Sequence, residues 1–166
     1  MKAPANILTA ATVTGFMFGP SPVTITVAVT ASLMPDIDTP QSTAGRIPIV
    51  PSLINTIFGH RTATHSLTAL IITSLAVKTV SPELALAWAI GYGIHILLDM
   101  LTPQGVMFFW PYPAWVGTGI LKTGGIFEVL YTLALAALNT TSVWGKTLWT
   151  ETAKKLIELA GSLIPF

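Results

Sequence analysis

An apolar stretch near the middle of the chain carries His95 and Asp99, four residues apart. On an α-helix this spacing places both side chains on one face, where an imidazole and a carboxylate can bind the same metal ion. Pro103 predicts that the helix ends near Thr102. A buried histidine bonded to an aspartate one turn away is also a common structural contact, so the pair indicates either ligands or packing.

A pair of carboxylates, Asp36 and Asp38, lies between Pro35 and Pro40. The prolines favour an extended backbone here, and in an extended run both carboxylates point to the same side. Two carboxylates aimed at one point repel each other unless a cation or a proton lies between them. The alternative is a solvated acidic turn, which the same residues also favour.

The third polar cluster surrounds Arg61, between His60 and His65, and precedes an apolar run. Thr62 or Thr64 is predicted to be the N-cap of the next helix, which places His65 in its first turn and His60 in the loop before it. Arg61 can bind the anionic group of a ligand, or it can mark the membrane edge. Ionisable groups clustered beside apolar segments indicate a function.

The composition is that of an integral membrane protein. Of the 166 residues, 52% are hydrophobic and only 9% are charged, whereas a soluble domain carries about 25% charged residues. The net charge of +1 gives no reason to expect nucleic-acid binding. The chain has no cysteine, which excludes disulfides and thiolate metal ligands.

About four apolar helical segments are expected to position these clusters. Residues 5–18 and 22–34 form a short helical hairpin or one kinked span, followed by helices over residues 67–80, 83–101 and 126–139. Residues 147–163 are amphipathic and should lie on a membrane surface or against a partner. We therefore predict an all-α integral membrane protein with a membrane-embedded domain over residues 1–145 and an amphipathic C-terminal helix over residues 146–166.

Three ordered motifs resemble the YdjM-like family, bacterial and archaeal membrane-bound proteins described as metal-dependent hydrolases. They are Leu33-Met-Pro-Asp-Ile-Asp-Thr-Pro40, Phe58-Gly-His-Arg-Thr-Ala-Thr-His-Ser-Leu67 and the run from Gly91 to Gly105. The resemblance covers about residues 6–130 and implies a location in the inner (cytoplasmic) membrane of a prokaryote. It implies a metal site made of Asp36, Asp38, His60, His65, His95 and Asp99, with Glu128 as a further ligand.

Two positions qualify this resemblance. By itself Glu128 is explained by the helix dipole, because it lies in the first turn of a predicted helix, and only the resemblance makes it a ligand. Asn6 stands where family members often carry a histidine, and an amide oxygen is the poorer ligand. A second metal ion is therefore expected to be weak or absent.

The predicted function is that of a membrane-bound metal-dependent hydrolase acting on an ester or phosphodiester, including lipids, through a metal-activated water. Nitrogen and oxygen ligands suit Zn²⁺, with Mn²⁺ or Fe²⁺ as alternatives. Asp36, Asp38 and Arg61 are the predicted catalytic residues, and Arg46 and Arg61 are predicted to bind substrate charge.

Other functions use the same residues. A non-enzymatic membrane subunit would hold a structural metal or polar network and serve the assembly of a larger complex, and an ion or proton pathway would transport without hydrolysis. Membrane lipid, an amphiphilic or phosphoester substrate, and an oligomer or complex are the expected partners.

Overall fold

The computed structural model describes residues 1–39, 42, 52, 55–57, 59, 61–141, 150 and 154. Its continuous parts contain the helices α1 (Ala3–Phe18), α2 (Pro22–Ala31), α3 (Leu67–Lys78), α4 (Pro82–Met100) and α5 (Ile126–Thr141). Two 3₁₀ turns, Met34–Asp38 and Ala63–His65, follow α2 and precede α3. The described residues form no strand beyond an isolated bridge between Val106 and Val116. The prediction of an all-α fold with apolar helices is confirmed.

Serine side chains begin three of the helices. The Oγ atoms of Ser21, Ser66 and Ser81 each accept a hydrogen bond from the backbone N–H three residues later, at 3.1–3.4 Å, which satisfies one of the free amides at a helix start. The predicted N-cap at Thr62 or Thr64 is therefore wrong. The helix begins only after Ser66, and His65 lies in the 3₁₀ turn that precedes it.

The segment that carries the two N-terminal aspartates is also different from the prediction. Met34–Asp38 is a 3₁₀ turn and not an extended run. Pro35 fixes a φ value that suits the start of a helical turn, and the Thr39 amide closes the turn by donating to the Asp36 carbonyl at 3.0 Å. Because the turn replaces the period of two, Asp36 and Asp38 face different ring nitrogens of His65.

Helix α4 is the centre of the fold and packs against α1, α2 and α3, while α5 packs against α1. It has 19 residues and is long and apolar enough to cross a membrane, whereas α1, α3 and α5 are shorter apolar helices. Small residues let α2 and α4 approach closely, since Gly91 lies directly against the Ala28 backbone. This contact holds α2 against the middle of α4.

Polar contacts join α1 and α5. Asn139 Nδ2 donates to Thr12 Oγ1 at 2.7 Å, and Thr9 Oγ1 lies 2.9 Å from Tyr131 OH. The outer surface is apolar by contrast, with large side chains that are exposed by half or more: Phe16, Ile72, Leu75, Leu86 and Leu133. Such a surface suits contact with lipid tails better than contact with water.

Several predictions fall on residues outside the described ranges. They concern Arg46, His60 and nearly all of the predicted amphipathic helix over residues 146–166. The division into a membrane-embedded domain over residues 1–145 and a C-terminal helix therefore stays a prediction.

Candidate metal centre

The candidate metal centre lies where the two 3₁₀ turns meet the C-terminal half of α4. Asp36, His65 and His95 each offer one ligand atom, and these atoms all lie within 4.8 Å of one another. The Nε2 atoms of both histidines are 3.6 Å from Asp36 Oδ1. Ligands bonded to one zinc ion at about 2.0–2.2 Å are separated by about 3–4 Å, so the spacing suits a single metal ion.

Asp99 faces the same two imidazoles. Its Oδ2 atom lies 3.5 Å from His65 Nε2 and 3.6 Å from His95 Nε2. The same oxygen is 2.9 Å from Arg61 Nη2, and Oδ1 contacts the Met1 nitrogen. Asp99 therefore lies next to both imidazoles but outside the close group of Asp36, His65 and His95, and it also binds a buried guanidinium. Its role as a metal ligand stays a prediction.

The orientation of His95 is set by the backbone of a neighbouring helix end. Its Nδ1 atom is 2.6 Å from the Ser32 carbonyl oxygen and 3.0 Å from Asn6 Nδ2. A carbonyl only accepts hydrogen bonds, so Nδ1 carries a proton, and in the neutral imidazole the lone pair is then on Nε2. That Nε2 atom is buried and has no hydrogen-bond partner among the described residues. A metal-binding histidine typically donates one ring N–H to a backbone carbonyl, as Nδ1 does here, and leaves its other ring nitrogen, here Nε2, for the metal.

The electrostatics of the two turns favour the ligand forms of their residues. Burial lowers the pKa of His65, and the nearby Asp36 only partly opposes this shift, so the imidazole is neutral at neutral pH and keeps a lone pair. Burial raises the pKa of Asp36, but the neighbouring His65 and His95 bring it below its ordinary value, so the carboxylate is ionised. Neutral imidazoles and ionised carboxylates are the forms that bind metals. The residues therefore fit a divalent ion with nitrogen and oxygen ligands, such as Zn²⁺, Mn²⁺ or Fe²⁺.

Access to the centre is asymmetric. The side chains of His65, His95 and Asp99 are fully buried, whereas that of Asp36 is 21% exposed. A small molecule from outside the protein can therefore reach the centre beside Asp36. An accessible position next to the metal ligands is characteristic of catalytic metal sites, and structural sites are closed.

Asp38 does not belong to the close group of Asp36, His65 and His95 and contacts the other side of the His65 ring. Its Oδ2 atom accepts hydrogen bonds from the Arg61 amide at 2.9 Å and from Thr64 Oγ1 at 3.2 Å, and it lies 3.8 Å from His65 Nδ1. The carboxylate therefore holds the turn that presents His65. Its predicted role as a metal ligand or general base stays a prediction.

Arg61 is buried and is held on several sides. Its backbone φ is 59°, a left-handed conformation that is uncommon for a residue with a side chain, and Asp38 accepts from its amide. The guanidinium Nη1 donates to Thr102 Oγ1 at 3.2 Å, and Nη2 pairs with Asp99. Its Nε atom is buried without a hydrogen-bond acceptor among the residues that the structure describes.

Glu128 lies at the start of α5, where backbone hydrogen bonds give a structural reason for a carboxylate at this position. Its Oε1 atom accepts from the Lys2 amide and its Oε2 atom accepts from the Gly124 amide, both at 2.6 Å. The residue is buried and does not belong to the close group formed by Asp36, His65 and His95. Its role as a ligand stays a prediction that a variant can decide.

We expect Glu128→Gln to keep its bound metal and to lose stability. The amide can accept from only one of the two backbone N–H groups, and losing a hydrogen bond to a charged acceptor costs about 1.5–3 kcal/mol. The measurements are metal content and thermal unfolding of the detergent-purified protein. Loss of metal at an unchanged unfolding temperature would instead show that Glu128 is a ligand.

Two contributors to the site were missed from the sequence. Tyr92 OH donates to the Thr64 carbonyl at 2.6 Å, and Thr102 Oγ1 accepts from Arg61. Tyr92 lies three residues before His95, so its place on the same helix face was a usable signal. Nothing in the residue pattern indicated that a threonine beyond the helix end would contact Arg61.

Comparisons with known proteins identify bacterial relatives of this chain. The chain is 33% identical over 133 residues to an uncharacterized protein, YvsG, of Bacillus subtilis (strain 168), a match that covers 76% of this chain and 83% of that protein. It is 38% identical over 92 residues to the inner membrane protein YdjM of Escherichia coli (strain K12). That match covers 51% of this chain and 47% of the relative, about half of its length. No solved structure matches the chain.

The family assignment rests on nearly the whole chain. Residues 2–164 match the family described as YdjM inner membrane protein. In the part of the chain that the structure describes, one long and three shorter apolar helices are consistent with an inner-membrane location. The resemblance inferred from the three polar motifs is thus confirmed, and the chain belongs to the YdjM family of inner membrane proteins.

Proposed function

We propose that this protein is a membrane-bound metal-dependent hydrolase that acts on an ester or phosphodiester of an amphiphilic molecule. The observation that carries the proposal is the group of Asp36, His65 and His95, whose ligand atoms lie within 4.8 Å of one another. Two of these ligands are fully buried and the third is accessible. A divalent ion held there supplies Lewis acidity and lowers the pKa of water.

The residues around the centre have separate roles in this proposal. His65, His95 and Asp99 hold the ion, and the accessible Asp36 both completes the ligand set and accepts a proton at the open side. Arg61 holds the Asp99 carboxylate in place by pairing with it at 2.9 Å. Its buried Nε atom, which has no acceptor among the described residues, is available to a substrate anion. Arg46 is retained as a second substrate-binding residue and lies outside the described residues.

The test is hydrolysis by detergent-purified protein supplied with Zn²⁺, Mn²⁺ or Fe²⁺. A soluble phosphodiester, a carboxylic ester and a phospholipid are the substrates. We expect turnover of at least one of them, and we expect Asp36→Asn to reduce kcat by about 100-fold or more, as is typical when a proton acceptor is lost. Asn139→Ala is the control, because it removes a buried polar group far from the centre and should retain activity. Wild-type protein that carries stoichiometric metal but hydrolyses none of these substrates would contradict the proposal.

One observation favours a second candidate, a non-enzymatic subunit with a structural polar network. Asp99 already has a cationic partner in Arg61, and Arg61 is itself held by Asp38 and Thr102. Such a network can bind helices together without turnover. Under this alternative, loss of Asp38 would lower the unfolding temperature, and the wild-type protein would show no hydrolysis.

A further inference from the structure

An apolar groove of about 430 Å³ lies beside the candidate centre, between α3 and α4. Ala69 and Ile72 line it from α3, and Trp88 and Tyr92 line it from α4. The volume lies within the range of about 300–1,000 Å³ that is usual for small-molecule sites. The groove is therefore large enough to hold part of a ligand.

The groove and the metal centre share one face of α4. Trp88, Tyr92, His95 and Asp99 follow one another at spacings of four, three and four residues, which places them in one row along a helix. At 1.5 Å per residue, Trp88 lies about 16 Å along the axis from Asp99. The aromatic residues Trp88 and Tyr92 of this row lie in the groove, and the proposed ligands His95 and Asp99 lie at its C-terminal end.

The end of the groove nearest the centre is formed by residues next to the ligands in sequence. Met34 and Ile37 line it, and both flank Asp36, the accessible ligand. Thr64 also lines it and directly precedes His65. A molecule lying in the groove can therefore place one end beside the open side of the metal centre.

The described lining offers few free hydrogen-bonding groups. Trp88 Nε1 donates to Thr73 Oγ1 at 3.0 Å, and Tyr92 OH donates to the Thr64 carbonyl at 2.6 Å. Thr68 Oγ1 donates to the Trp110 carbonyl at 2.7 Å. Because these polar groups are already satisfied, the groove favours an apolar occupant over a polar one.

The rim of the groove reaches the outer surface of the helices. Ile72, which lines the groove, is 62% exposed, and in a membrane protein this surface meets lipid tails. An apolar chain can therefore enter from the bilayer without crossing water. A phosphate or ester group attached to that chain would lie beside Asp36, at the open side of the centre.

We propose that the groove holds one acyl chain of a membrane lipid whose ester or phosphodiester group lies at the Asp36, His65 and His95 centre. The identity of the reacting group rests on the proposed hydrolase function. The binding of the chain does not, because it depends only on the shape and polarity of the groove. The substrate class is therefore an acyl-chain lipid of the surrounding bilayer.

The first test is photo-crosslinking with a phospholipid that carries a diazirine at the end of one acyl chain, in detergent micelles without added metal. Mass spectrometry would compare labelling at Ile72 and Trp88 with labelling at Leu133, a 61% exposed residue on α5. We expect preferential labelling in the groove. Ala69→Phe should reduce it by about tenfold relative to Leu133, since the larger side chain fills the space that the acyl chain needs.

Ala76→Phe is the matched control, because Ala76 is exposed two turns further along the same helix and does not line the groove. It should leave the labelling unchanged. Met34→Trp fills the other end of the groove and serves as a second variant if Ala69→Phe does not elute as a folded protein from size-exclusion chromatography. Equal labelling of Ile72 in the wild type and in a folded groove variant would overturn the proposal.

Hydrolysis is a separate readout that distinguishes this proposal from the hydrolase function. With metal added, Ala69→Phe should raise the KM for a long-chain phospholipid by about tenfold and leave turnover of a soluble phosphodiester unchanged. If the groove is labelled but no substrate is hydrolysed, the acyl-chain site stands and the proposed hydrolase function is contradicted. If hydrolysis occurs but Ala69→Phe leaves the groove labelling unchanged, the hydrolase function stands and the acyl-chain site in the groove is contradicted.

Discussion

Detergent-purified His95→Ala protein is expected to contain less than about a tenth of the metal found in the wild type. Loss of a hydrogen-bond partner of a ligand already costs about 10–100-fold in metal affinity, so loss of the ligand itself should cost more. His95 is fully buried, its Nδ1 atom is fixed by the Ser32 carbonyl, and its Nε2 atom faces Asp36 and Asp99. No other described side chain replaces that lone pair. Elemental analysis after incubation with zinc and removal of unbound metal is the measurement.

The matched control for His95→Ala is Asn139→Ala. Asn139 is also buried and donates to Thr12 Oγ1 at 2.7 Å, so its removal costs about 0.5–1.5 kcal/mol of stability without touching the centre. We expect this variant to keep its metal. Wild-type metal content in folded His95→Ala protein would show that the imidazole is not a ligand, whereas metal loss in both variants would show only general destabilisation.

The largest loss of stability from a single methyl group is expected for Gly91→Ala. A Cβ atom at this position would lie 2.7 Å from the Ala28 carbonyl carbon and 2.8 Å from the Ala28 Cα, both on the backbone of α2. Backbone atoms cannot rotate away, so α2 and α4 must separate. Forcing extra volume into a packed contact costs about 1–3 kcal/mol and occasionally more, and we expect a value at or above the upper end, seen as a lower unfolding temperature in detergent.

This variant should also weaken metal binding. The Met34–Asp38 turn follows α2 after two residues, so a shift of α2 moves Asp36 away from the imidazoles of His65 and His95. Gly93→Ala is the control on the same helix, because its Cβ would meet only the flexible Leu70 Cδ1 at 3.4 Å. Alanine is about 1 kcal/mol better than glycine in a helix interior, so this control should be as stable as the wild type or more stable. Equal stability of both variants would contradict the close packing of α2 on α4.

The Glu128→Gln variant distinguishes a structural role of Glu128 from a role as metal ligand. Its sequence position suggested a helix terminus, and the family resemblance suggested a ligand. The structure shows two backbone amides on its carboxylate. The contact with Gly124 is local, but the contact with Lys2 joins the beginning of α1 to the beginning of α5 across 126 positions, and no local pattern could have predicted it.

The sequence by itself determined the helices and the family of this protein. The low charge content, the apolar segments and the Pro and Ser residues at their starts are local features, and each acts within one turn of helix. The spacing of His95 and Asp99 likewise predicted a shared face, because both residues belong to one regular helix.

Only the tertiary structure decided which polar residues meet. The expected extended run around Asp36 is a 3₁₀ turn, so Asp36 reaches the imidazoles while Asp38 holds the Arg61 amide. The conformation of such a turn depends on contacts with distant segments, and those contacts do not leave a period in the sequence. The apolar groove has the same origin. Its walls come from separate elements, and their distance is set by the packing of α3 on α4 and not by the composition of either helix.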